Sequence, residues 1–218
     1  MLKKLRWKIA QFAERRWWKN YLKDKDPLDY KDWKRDYWKG IMASYRSVAL
    51  VTDDMSVLDA GCGPSGIFMM FPKHNVTAFD PLLDKYAADL DIFNPKQYPK
   101  TKFVKAGLED FKSEEKFHRV FCMNAINHVQ DIEKSVDTLV NHTTSNGCII
   151  ITIDAHNYSF FKYLFRLLPG DILHPHQYDR MEYKEMFTKR GCKFLNASLL
   201  KKDFLFNHYL LTFKRIPQ

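Results

Sequence analysis

The chain has 218 residues, 45% of them hydrophobic and 28% charged, with a formal net charge of +9. That length and apolar fraction bury one core and leave no room for a second large domain. No apolar run approaches the roughly 20 residues of a membrane-spanning helix, and residues 1–12 carry charges where a secretory leader needs an apolar stretch. Cys62, Cys122, Cys148 and Cys192 have no Cys-x-x-Cys spacing and read as buried thiols, so a cytoplasmic protein is expected.

Residues 1–50 stand apart in charge and in aromatic content. They hold 14 Lys and Arg against 6 Asp and Glu, which is +8 of the net +9, and all five tryptophans: Trp7, Trp17, Trp18, Trp33 and Trp38. Leu2, Leu5, Ile9 and Phe12 recur at helical spacing among Lys3, Lys4, Lys8 and Arg15, which predicts a basic amphipathic helix. Asp26 followed by Pro27 predicts the cap and first turn of a second helix running to about residue 51. Three uses of this segment are open. It covers a cleft of the main domain as a lid, it lays residues 1–25 on an anionic membrane surface, or it tracks a nucleic-acid backbone with bases on its aromatics. The lack of a recognisable RNA-binding appendage counts against the last.

Residues 57–66 (VLDAGCGPSG) read as a short strand breaking at Asp59 into a glycine-rich turn, with Pro64 opening a helix over 64–71. Gly61, Gly63 and Gly66 fit dinucleotide spacing, whereas no Lys follows Gly66 as a triphosphate loop requires. The loop alone leaves a dinucleotide possible. Strands follow at 75–79, 101–105, 117–123, 147–154, 192–198 and 205–214, and helices at 82–93, 131–144, 157–168 and 179–190. This alternation implies βα repeats on a mostly parallel sheet, with ligands beyond the strands' carboxyl ends. Asp80, at the end of the second strand and about 20 residues after the glycines, is suited to ribose hydroxyls.

Four segments in order, VLDAGCGPSG, FDP (79–81), AGLEDF (106–111) and MNAINHVQD (123–131), resemble the class I S-adenosylmethionine-dependent methyltransferases, particularly the small-molecule and lipid branch. The likeness covers about residues 55–154 and, with the strand at 147–154 and an insertion and last helix up to 191, nearly the whole chain. It implies a doubly wound, seven-stranded, mostly parallel sheet of the Rossmann-like methyltransferase fold, with an N-terminal helical extension. Residues 1–50 would form that extension and 51–218 the methyltransferase domain, with a substrate-side insertion at about 155–185.

The resemblance also implies roles within the cofactor site. Gly61 and Gly63 allow close approach to the methionine moiety, Asp59 meets its ammonium, and Asp80 accepts both ribose hydroxyls. Leu82 covers an adenine face, Leu108 with Glu109 or Asp110 meets the adenine ring and its amine, and Asn124 and Ala125 lie beside the sulfonium. Cys62 and Pro81 complete the cofactor set, with S-adenosylhomocysteine as product. Methyl transfer from a sulfonium needs no metal, and the enzyme's task is to align the nucleophile.

His128 after the fourth strand, and His174 and His176 in the insertion, are the candidate bases for an acidic acceptor. The His-x-His pair flanks Pro175 and has no evident third ligand, so no metal site is expected. Aromatic residues around the expected cleft, with Tyr30, Tyr37, Trp38 and Tyr178 as substrate-binding candidates, suit an apolar, aromatic or cationic amine acceptor. Asn124-Ala-Ile-Asn127 stands where exocyclic-amine methylases of the family carry Asn/Asp-Pro-Pro-aromatic, so those substrates are discounted. The expected function is methyl transfer to O, N or S of a small-molecule or lipid-like acceptor. An RNA methyltransferase using the basic N-terminus and a non-catalytic protein binding the cofactor or its product are the alternatives.

Overall fold

Seven strands form one sheet in the computed structural model, which describes residues 2–156, 178–204 and 206–217. They are Val57–Ala60 (β1), Val76–Phe79 (β2), Thr101–Val104 (β3), Phe117–Cys122 (β4), Thr143–His156 (β5), Cys192–Lys201 (β6) and Phe206–Arg215 (β7). Their order is β3-β2-β1-β4-β5-β7-β6. The first five run parallel, and β7 lies antiparallel between β5 and β6. The few residues between β6 and β7 allow a hairpin and no crossover, which dictates that antiparallel pairing. The sheet's connections diverge on either side of β1, between β2 and β4, and such a switch point opens a crevice at the strands' carboxyl ends.

The period-two alternation of each strand sorts its side chains into two cores. Val57, Phe121 and Ile150 face a cluster with Tyr30, Trp38, Ile41 and Tyr45. Leu58, Val120 and Ile149 face Val136, Leu139, Tyr183 and Phe187. The helices supplying these layers are Leu2–Leu22 (α1), Pro27–Tyr45 (α2), Leu83–Asp89 (α3), Ile132–Asn141 (α4) and Arg180–Thr188 (α5). Tyr30, Trp38, Ile41 and Tyr45 of α2 share a core with the first strands, so this part of the basic segment packs within the domain. Among the described residues, no helix is long and apolar enough to cross a membrane.

Every expected strand is present, and the helices differ in instructive ways. The N-terminal helix runs on to Leu22, well beyond its apolar repeat at residues 2–12. Asp26 caps α2 as its sequence predicts, accepting from the backbone N–H of Leu28 (2.8 Å) and Asp29 (3.0 Å). The helix ends at Tyr45 rather than near 51, because the following turn is held against β4, where Arg119 Nε donates to the Leu50 carbonyl at 3.0 Å.

The expected helix at 64–71 is replaced by two 3-10 turns, 63–65 and 67–70, broken at an extended Gly66. The buried Asp59 carboxylate causes the break: it accepts from Phe68 N at 2.9 Å and leaves no room for a Cβ on Gly66. The helix expected over 82–93 stops at Asp89, where Leu90 turns extended. The helix expected over 157–168 lies outside the described residues.

Candidate active site

The site begins where β1 runs out. Gly61 and Gly63 have φ of +68° and +57°, the left-handed region that only glycine enters without strain. A Cβ on Gly61 would also run into the Ala125 side chain, so this backbone is bare on the side facing the loop after β4. Gly61 N and Cys62 N donate to the Phe79 carbonyl at 2.8 and 3.0 Å, which ties the turn to the end of β2. The next residue but one along that loop's path, Gly63, meets Asp80: Asp80 Oδ2 accepts from Gly63 N (3.1 Å) while Oδ1 accepts from Leu82 N (2.8 Å). Asn124 follows β4 with φ of +55°. It is held there by Thr152 Oγ1, which accepts from Asn124 N (2.7 Å) and donates to Asn124 Oδ1 (2.8 Å).

These turns form the floor of a cavity of about 130 Å³ that is open at its mouth. Gly61, Cys62, Gly63 and Ser65 line one side, Asp80, Pro81, Gly107 and Leu108 a second, and Met123, Asn124, Ala125, His128 and Val129 a third. The roof comes from the N-terminal helices: Trp7, Glu14 and Trp18 of α1, with Lys34 and Trp38 of α2.

Charge in and beneath the cavity is mostly acidic. Burial pushes the Asp59 carboxyl up to about 7 against the opposing backbone N–H groups of Phe68 and Ile67. Asp80 is likewise pushed up to about 7, by burial first and then by the charge of Glu14. Glu14 is raised by burial, with the Tyr86 hydroxyl and Trp18 indole opposing the shift. Burial and the two aspartates raise the Cys62 thiol, so it is no nucleophile at neutral pH. Lys34 is the roof's counterpart, lowered to about 8 by burial, with Nζ 4.5 Å from the Tyr37 ring centre and 4.6 Å from that of Trp38. It makes no ion pair among the described residues.

Residues 58–151, the stretch that builds this floor, match the family described as "Methyltransferase domain". Over this stretch the chain is similar to methyltransferase domains. The ubiquinone biosynthesis O-methyltransferase of Rickettsia prowazekii (strain Madrid E) is 28% identical over 121 residues, which cover 55% of this chain and 47% of that protein. Its counterpart in Rickettsia typhi is 25% identical over 169 residues, 71% of this chain and 68% of the relative. The chain thus spans about half the length of the first of these relatives.

Two solved structures fix the fold. A putative methyltransferase of Bacillus halodurans C-125 superposes with a TM-score of 0.65 at 15% identity, covering 81% of this chain and 99% of that one. The N-methyltransferase NodS of Bradyrhizobium japonicum WM9, in complex with S-adenosylhomocysteine, gives 0.60 at 12% identity, covering 88% of this chain and 89% of the other.

Within residues 58–151, Gly61, Cys62, Gly63, Asp80, Pro81, Leu108, Asn124 and Ala125 of the expected cofactor set meet in the cavity wall, with His128 beside them. Asp59 does not reach the wall, because it lies beneath the loop bonded to Phe68. Leu82 is buried and offers its N–H to Asp80. Glu109 is turned to the segment after β4, where Oε1 accepts from Gln130 N (2.6 Å) and Asp131 N (3.2 Å); neither it nor Asp110 lines the cavity.

Of the expected substrate contacts, Trp38 is in the wall and braces the glycine loop by donating from Nε1 to the Ser65 carbonyl at 3.0 Å. Tyr30 sits behind it, its hydroxyl 3.2 Å from Ser65 Oγ, and the Tyr37 hydroxyl lies beside Asn124. Tyr178 packs edge-on to Tyr183 at 5.7 Å, away from the wall. His174 and His176 lie outside the described residues.

Sequence reasoning missed Glu14, Trp18, Lys34, Ser65, Gly107, Met123 and Val129. One of them carried a signal, since Glu14 is the lone acid among seven basic residues of α1.

Proposed function

We propose that this chain binds S-adenosylmethionine in the cavity and transfers its methyl group to an oxygen of a small acceptor with an acidic hydroxyl. The observation that carries this reading is Asp80. Its buried carboxylate is oriented at both oxygens by backbone N–H groups, lines the cavity, and stands beside a glycine turn whose bare backbone accepts close approach. These residues fit the cofactor: each Asp80 oxygen keeps a lone pair for a ribose hydroxyl, and Gly61 and Gly63 leave room for the methionine portion. The floor's acidic character suits a ligand bearing an ammonium and a sulfonium. Leu108 and Val129 supply apolar surface for a purine ring. When bound, the cofactor supplies an electrophilic methyl group.

The chain's own residues then position and ionise the acceptor. Lys34, a roof cation with no carboxylate partner among the described residues, favours an acceptor that is anionic at oxygen over a cationic amine. His128, in the wall on the Asn124 side, is suited to take the hydroxyl proton as the oxygen attacks. Trp18 and Trp38 in the roof exclude water from the cavity. The O-methyltransferase relatives support the same choice of atom. The test is transfer from methyl-labelled S-adenosylmethionine to a panel of phenols, carboxylates and amines. Label in phenolic ethers supports the reading, and label confined to amines overturns the choice of acceptor.

The outer face of α1 supports a location for that acceptor. Ile9, Phe12 and Trp17 are exposed, at 45%, 64% and 52%, on a helix with seven basic residues. That combination favours peripheral contact with an anionic membrane surface, where a lipid-soluble acceptor would reside. Co-sedimentation with anionic vesicles that weakens with salt supports this contact. Equal binding to neutral vesicles, or none at low salt, overturns it.

A further inference from the structure

Glu14 is the acid that the site has and its sheet does not explain. It comes from α1, and α1 is held down firmly at this point. Arg15 forms a two-pronged ion pair with Asp89 of α3, Nε to Oδ2 at 2.5 Å and Nη2 to Oδ1 at 3.0 Å. On the next turn Trp18 lies edge-on to Tyr86, ring centres 6.4 Å apart, and within van der Waals reach of Gly63. Between these contacts the Glu14 carboxylate accepts from the buried Tyr86 hydroxyl at 2.9 Å and turns its remaining surface to the cavity that Asp80 also lines. Two buried carboxyl groups thus face one space, close enough that the charge of one raises the other.

Such a pair is unfavourable in itself, since like charges in a desolvated site repel, and Glu14 has only the Tyr86 hydroxyl and the Trp18 indole to offset its loss of water. A ligand with two adjacent hydroxyls removes both objections, because each hydroxyl donates to a carboxyl oxygen. A ribose carries that diol.

Resting on the cofactor reading above, we propose that Glu14 is a second carboxyl ligand of the cofactor's ribose, delivered by α1 opposite Asp80, so that the nucleoside is gripped between sheet and roof. Each hydroxyl has one proton to donate, so although both Asp80 oxygens have a free lone pair, Asp80 accepts from one hydroxyl and Glu14 from the other. The Arg15–Asp89 clamp fixes the height at which it does so.

Calorimetric titration with S-adenosylhomocysteine and with its 2′-deoxy and 3′-deoxy analogues tests this on three proteins: wild type, Glu14→Leu and Tyr86→Phe. For wild type, removal of the hydroxyl that meets Glu14 weakens binding by about tenfold to a hundredfold, the usual worth of one charge-assisted hydrogen bond. In Glu14→Leu the parent ligand binds weaker by a similar factor, and the penalty for removing that one hydroxyl disappears. Tyr86→Phe leaves the carboxyl but removes its partner, and it keeps the wild-type discrimination.

Undiminished discrimination of both analogues by Glu14→Leu overturns the proposal. So does its equal loss in Tyr86→Phe, which would make Glu14 merely the anchor of Tyr86. Wild-type protein that does not bind S-adenosylhomocysteine at all overturns the cofactor reading itself, and this inference with it.

Discussion

The floor and the roof of the cavity are built on opposite principles. The floor is backbone: strand ends, two left-handed glycines and a left-handed asparagine, with Asp80 held by two N–H groups. Its shape follows from hydrogen bonds that any chain of this topology must make. The roof is helical: Trp18, Trp38, Lys34 and Glu14 line the cavity from α1 and α2. A floor of that kind suits a constant ligand, and a roof of this kind is free to vary with whatever is methylated. Substitutions in the two should therefore fail differently.

The sharpest break is Gly61→Ala. The new methyl meets Ala125 at a φ that costs a non-glycine residue about 1–3 kcal/mol, and the shift of the loop lowers affinity for S-adenosylhomocysteine by about fivefold to a hundredfold. Calorimetry reads it, and near-normal affinity would show that the floor does not meet the ligand. Next comes Lys34→Gln. It leaves cofactor affinity within about twofold but raises the KM for an anionic acceptor by about tenfold, the scale of one partly screened ion pair. A fall in cofactor affinity instead would erase the distinction between floor and roof.

A pH effect of intermediate size separates the two regions through the floor's acids. Asp59 and Asp80 are raised to about 7, above their unfolded values. Each binds a proton more tightly in the folded state, so the stability it contributes is complete at low pH and lost as pH rises through about 7. The ligand-free protein should accordingly melt higher at pH 5.5 than at pH 7.5, and Asp80→Asn should narrow the gap. A calorimetric melting temperature that rises over this interval, unaltered by the substitution, contradicts the assignment. The smallest effect is Gly40→Ala in α2: no atom lies within 4 Å of the added methyl, so it stabilises by about 0.5–1 kcal/mol with no change in binding. Its failure to do so would mean that α2 depends on flexibility at that turn.

The same division explains what could be read in advance. Residues 57–60, 76–79 and 117–122 announce themselves because strands covered on both faces are mostly apolar, and the glycines after the first must turn. Asp80 is legible for a like reason, being an acid fixed by its distance from that turn. The 3-10 turns at 63–70 were not legible, because the agent is Asp59 reaching across from β1, a tertiary hydrogen bond with no local trace. Glu109 illustrates the reverse case, an acid in the expected segment that satisfies Gln130 and Asp131 instead. Lys34 was hidden among the many charges of α2, and Glu14, though the lone acid of α1, had no sign of the direction it faces. Which charge points inward depends on how a helix is rotated over the sheet, and Arg15 with Asp89 sets that rotation for α1.

The position of β7 carries a consequence for biosynthesis. Its ten residues slot between β5 and β6, pairing Ile150 with Thr212 and Ser198 with Leu210. A nascent chain that ends before Phe206 holds five parallel strands whose last edge is open, and a β6 with nothing to pair with. Both are templates for joining another copy. The sheet is therefore sealed only when Phe206–Arg215 pairs on both sides, later in synthesis than every other strand.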